Sequence, residues 1–113
     1  MMHLATPELD EGPPVTFCTY SIRGPAFDLL WSDMRGRSTA DVQAKEGEAN
    51  PLFAEIRRHG AARELPLVIE TLRAFAERRV RIANKHPANV NGRPISPFDL
   101  TPEIERVVVN TLT

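Results

Sequence analysis

Two side chains in the stretch FAERRVRIANKHP (residues 75–87) have the types and the spacing for work on a phosphodiester. Arg79 precedes His86 by seven positions, and on an uninterrupted helix seven residues return a side chain to within about 20° of the same face. The guanidinium would stabilise developing negative charge while the imidazole moved the proton of a ribose hydroxyl. Arg79 is also out of place for a structural residue. On a helix turning about 100° per residue it falls at the centre of an apolar arc formed by Val68, Ile69, Leu72, Phe75, Ala76, Val80, Ile82 and Ala83. Its neighbours three and four positions away are Phe75, Ala76, Ile82 and Ala83, none of which can pair with it. Arg81 lies on the polar side with Glu77 four residues earlier, the favourable order for a surface ion pair. An unpaired buried guanidinium costs several kcal/mol. Arg79 is therefore expected to snorkel, to pair with an acid from another helix (Asp99, Glu103 or Glu105), or to serve a site.

The spacing Arg79-x6-His86, with Arg81-x4-His86 as a second match, resembles the R-x4-6-H signature of the HEPN ribonucleases. That resemblance implies a small helical domain that places two such motifs across a dimer interface, with Arg79 and His86 as catalytic residues. It covers this one segment only. The polar residue that commonly follows the motif arginine in that family is replaced here by Val80 or Ile82. Without the resemblance, His86 reads as a residue at a helix C-terminus, where an imidazolium suits the dipole.

The remaining constellations are thin. His3, His59 and His86 have no metal-ligand spacing, so no metal is expected. Cys18 is the sole cysteine, which excludes an internal disulfide and a cysteine-based zinc site. It sits in an apolar segment and reads as a small buried hydrophobe. No glycine-rich phosphate loop, nucleophile elbow or H-E-x-x-H is present, and no cofactor is expected. The stretch DVQAKEGE lacks the ligand alternation of a calcium loop.

Charge is unevenly distributed in a chain whose net charge is −1. Nine acids and four bases precede Arg57, three acids and nine bases lie in residues 57–93, and three acids and one base follow. The basic middle, with Arg57, Arg58, Arg63, Arg73, Arg78, Arg79 and Arg81 as candidate binding residues, would meet phosphates or an acidic protein surface. The competing expectation is neutralisation by its own acidic flanks.

The elements that must position these residues follow from pattern. One hundred and thirteen residues, 42% hydrophobic, suffice for one domain with one core, expected over residues 15–113 after a flexible tail at 1–14. Residues 15–22, VTFCTYSI, form the strand candidate. A helix is expected between Gly24-Pro25 and Gly36, its stripe made of Phe27, Leu30, Trp31 and Met34. Ser38, with Asp41 three residues on, caps a short exposed helix, and Asn50-Pro51 starts another that Gly60 ends. The central helix is expected over about 66–85, because Leu65 precedes a proline and Pro87 closes the segment. Asn91-Gly92 marks a tight turn, and Thr101-Pro102-Glu103 opens a last helix. The fold expected is mainly α, four to five helices around the central one with a single N-terminal strand. It becomes α+β if 106–112 is a strand.

The leading functional expectation is a protein–protein interaction module without catalysis, an adaptor, inhibitor or small subunit. The central arc spans about 160°, wide enough for packing from two sides. A protein partner or a second copy would cover it, and the lone strand leaves an edge for strand addition. RNA cleavage by Arg79 and His86, and nucleic-acid binding through residues 57–93, are the alternatives. No apolar run reaches the roughly 20 residues that span a bilayer. No signal-peptide pattern opens the chain, so a cytoplasmic, membrane-free setting is expected.

Overall fold

The structure, a computed structural model, describes residues 1–8 and 11–112. In chain order it contains β1 (Met2–His3), β2 (Pro14–Phe17), α1 (Asp28–Ser32), α2 (Thr39–Lys45), α3 (Pro51–Ala76), β3 (Arg81–Ala83), β4 (His86–Ala88), β5 (Phe98–Asp99) and α4 (Thr101–Leu112). The content is mixed α and β with one long helix, not a bundle of four to five helices. The chain divides into two compact units, Tyr20–Ala61 and the residues up to Thr19 together with those from Ala62 onward.

In the unit Tyr20–Ala61 the capping chemistry falls where the sequence places it. Ser38 Oγ accepts the Asp41 amide at 3.1 Å and opens α2. Asn50 Oδ1 accepts the Phe53 amide at 3.0 Å, with Pro51 at the first helical position of α3, where its missing N–H costs nothing. Asn50 Nδ2 donates to Glu46 Oε2, which also receives Arg37 Nη2, both at 2.8 Å. α1 is shorter than its 24–36 stripe predicts. From Met34 onward the amides of Met34, Arg35 and Arg37 bond three residues back, so the coil tightens into turns. Trp31 is half-buried, its Nε1 donating to the Ile22 carbonyl at 2.7 Å under the Arg23 guanidinium.

Gly60 does not end a helix. α3 runs through it and through Pro66. A Cβ on Gly60 would stand 2.9 Å from the Tyr20 hydroxyl, which donates to the Ile56 carbonyl, so this glycine marks a close side-chain approach. Pro66 removes one helical hydrogen bond, at a cost of about 3 kcal/mol. The next buried turns, Leu67, Thr71 and Ala74, hold the helix regardless. The expectation of separate helices on either side of residue 60, the second starting at 66, is thus corrected to one helix.

The end of the central helix is also corrected. α3 stops at Ala76, not near Lys85. The Arg78 amide bonds to the Phe75 carbonyl at 3.0 Å and the Arg79 amide to the Ala74 carbonyl at 2.9 Å, with Arg78 left-handed at φ 59°. This is a Schellman stop made with arginine in place of glycine. Beyond it β3 and β4 form an antiparallel hairpin joined by Asn84 and Lys85, both at positive φ (50° and 64°), the two-residue turn whose twist matches a hairpin.

In the second unit β2 pairs antiparallel with β1 and parallel with β5, so the strand expected over 15–22 ends at Phe17 and is not alone. A Cβ on Gly12 would collide with the Leu4 carbonyl, which shows how closely the chain before β2 passes β1. Leu67, Leu100, Ile104 and Val108 form the core, flanked by Met2, Cys18, Ala62 and Phe98. Residues 106–112 continue α4 as helix.

Candidate interaction face on the long helix

From Ala62 onward α3 is two-faced in an unusual sense. The side chains it buries are Arg63, Leu67, the adjacent pair Glu70 and Thr71, and Ala74, each three or four residues from the next along one face. Three of the five are polar. Arg63 is 6% exposed and meets Glu105 Oε1 through Nε at 3.1 Å and Nη2 at 2.7 Å. Glu70 lies 3.3 Å from Arg73 Nη1. Thr71 donates to the Leu67 carbonyl at 2.6 Å, so the 2.7 Å contact between the Thr16 and Thr71 hydroxyls uses the Thr16 proton.

The other face is apolar and open. Leu65 is 65% exposed, Val68 38%, Ile69 46%, Leu72 65% and Phe75 36%. They recur at the same helical steps and make one stripe along the outer side. Single exposed leucines are ordinary, whereas a contiguous stripe of this kind marks a binding surface or an aggregation hazard.

At its C-terminal end the stripe runs into a cavity of about 420 Å³ lined by Phe75, Arg78, Val80, Arg81, Ile82 and Val90. The Schellman stop turns the chain back so that the hairpin forms the far wall. Val90, 61% exposed beside the Asn91-Gly92 turn, extends the apolar surface. Arg78 and Arg81 are exposed, and neither has an acidic partner among the described residues. Arg81 is therefore not paired with Glu77, as a continued helix would require.

Glu77 instead faces Arg79, with Oε2 3.5 Å from Nε. Arg79 is half-buried, its guanidinium 5.7 Å from the Phe98 ring centroid, and its Nε makes no hydrogen bond. The acids expected to pair with it are otherwise placed. Asp99 accepts the Thr101 amide, Glu105 holds Arg63, and Glu103 buries an Oε2 with no hydrogen-bond partner. His86 is exposed at the start of β4, opposite Ala83. The common helix face on which Arg79 and His86 would act together is not formed, because α3 ends before either residue.

The other candidate arginines are held individually. Arg58 bonds Glu55 at 2.6 Å, Arg63 and Arg73 are paired as above, and Arg57 is exposed. His59 meets Glu55 at 3.1 Å and packs against the Phe27 ring at 4.7 Å. No group of three metal-ligating side chains occurs among the described residues. No helix among them is long and apolar enough to cross a membrane. Burial pushes the Cys18 thiol above its ordinary range.

Val68, Ile69, Leu72 and Phe75 belong to the apolar arc expected from the sequence, but they lie exposed rather than packed from two sides. Leu65 precedes a proline and is expected before the helix, and Val90 falls outside the helical pattern, so neither belongs to that arc. Leu65 sits in register with Val68 and Leu72, which was the available signal. Comparison with protein-family models, curated proteins and solved structures finds no match to this chain.

Proposed function

We propose that this chain is a non-catalytic protein-interaction module that docks through the outer face of α3. One observation carries the reading: the helix turns its polar residues inward and leaves Leu65, Val68, Ile69, Leu72 and Phe75 in water. Covering a large aliphatic side chain is worth about 1.5–3 kcal/mol, so a partner that covers most of this stripe gains enough to offset part of the cost of association. Among the inward polar groups Arg63 is hydrogen-bonded to Glu105, Thr71 to Thr16 and Leu67, and Glu70 is ion-paired with Arg73, so the helix does not gain by rotating its apolar side inward.

A photo-activatable residue placed at Ile69 tests this reading directly. Irradiation in cell extract is expected to give discrete higher-mass protein adducts, and the same probe at the exposed Glu48 is expected to give none. Equal labelling at both positions, or none at Ile69, overturns it.

A further inference from the structure

We propose that the occupant of this face is a second copy of the chain, packed antiparallel about a two-fold axis midway between Val68 and Leu72. The inference rests on the reading of the α3 stripe as a docking face and names its partner.

Three observations converge on self-pairing. The first is spacing. Leu65, Val68, Leu72 and Phe75 are separated by three, four and three residues, the step of a knobs-into-holes seam. That pattern reads the same in both directions. Reversing one helix therefore sets Leu65 opposite Phe75 of the second copy and Val68 opposite Leu72, twice over, which is what an isologous interface requires.

The second is shape. The cavity of about 420 Å³ opens beside Phe75, and antiparallel pairing brings Leu65 of the second copy to that place. Leu65 is among the most exposed aliphatic side chains of α3, at 65%, and the cavity walls Val80, Ile82 and Val90 are apolar. A protruding residue at one end of the stripe thus meets a hollow at the other.

The third is charge. Arg78 and Arg81 rim the cavity without an acidic partner among the described residues. Antiparallel pairing sets the two arginine-rimmed ends at opposite ends of the paired helices, where they do not repel each other. A parallel arrangement would instead bring arginines against arginines. A net charge of −1 for the whole chain presents little general repulsion to association.

Sedimentation velocity on the full chain from about 1 to 200 µM tests the partner. The expected result is a concentration-dependent dimer, weakened by Leu72→Glu by at least about 30-fold, since the substitution strikes the interface twice. A chain that stays monomeric throughout, or a dimer indifferent to Leu72→Glu, overturns the proposal. Register is read by disulfide trapping in a Cys18→Ser background. Mixing Leu65→Cys chains with Phe75→Cys chains is expected to give the mixed 65–75 product above either like-with-like product. A dominant 65–65 product overturns the antiparallel arrangement. Monomeric behaviour combined with Ile69 adducts to other proteins would sink the second copy yet leave the docking face standing, so the two failures are distinguishable.

Discussion

Thr16 and Thr71 illustrate how much a single proton assignment decides. Both are buried, and they share one hydrogen bond. Thr71 spends its proton on the Leu67 carbonyl, so Thr16 must be the donor between them. The two near-isosteric replacements are therefore unequal. Thr16→Val removes a donor and leaves Thr71 still bonded to Leu67. Thr71→Val strands the Thr16 hydroxyl in a fully buried site, and unsatisfied burial of this kind costs about 1–3 kcal/mol. Urea unfolding of the two variants is expected to place Thr71→Val below Thr16→Val by about 1 kcal/mol. Equal losses would show that another group takes the Thr16 proton. Arg79 belongs to the same scale. Its charge is met by its near neighbour Glu77 and by the Phe98 ring 5.7 Å away, so its apparent misplacement on a continuous helix disappears once the helix ends three residues earlier.

At the scale of elements, the decisive events are stops and turns made by residues that do not advertise them. α3 ends with Arg78 in the left-handed region, and the β3–β4 hairpin turns on Asn84 and Lys85 in the same region. Left-handed backbone costs a residue with a side chain roughly 1–2 kcal/mol relative to glycine. Asparagine tolerates it, but lysine does not relieve it. Lys85→Gly is therefore expected to raise stability by about 0.5–1 kcal/mol, read as a higher urea midpoint at unchanged slope. A lower midpoint would mean that the Lys85 side chain contributes more than its backbone costs. These positions account for the misread helix. Residues 66–85 carry a helical apolar pattern throughout, with no glycine between Gly60 and Gly92 to interrupt it. The pattern after Ala76 is equally that of a short hairpin whose Val80 is buried.

For the whole molecule, acid sensitivity follows from carboxylates held by neighbours. Glu46 is kept below the ordinary glutamate range by the Asn50 amide first and by Arg37 second, and the Thr101 side chain and amide lower Asp99. A folded value below the unfolded one means that protons favour the unfolded chain. The stabilisation is thus complete above the ordinary glutamate value of 4.5 and is lost as pH falls through the lowered folded value. Glu46→Gln is expected to be less stable than the parent at pH 7 and to converge with it toward about pH 2. A gap that persists unchanged in acid would assign the effect to packing. The sequence alone determined the local signals: the caps at Ser38 and Asn50, the turn at Asn91-Gly92, and α4 with its Thr-Pro-Glu opening. Each of these works within a few residues, where side chain and backbone meet whatever the rest of the chain does. Only the tertiary structure decided where α3 ends, which of its faces is covered, and that Arg63 and Glu105 neutralise each other across forty-two residues. Those outcomes depend on which surfaces find partners, and hydrophobic burial has no direction along the chain, so a helical pattern can state that a face is apolar without stating what covers it.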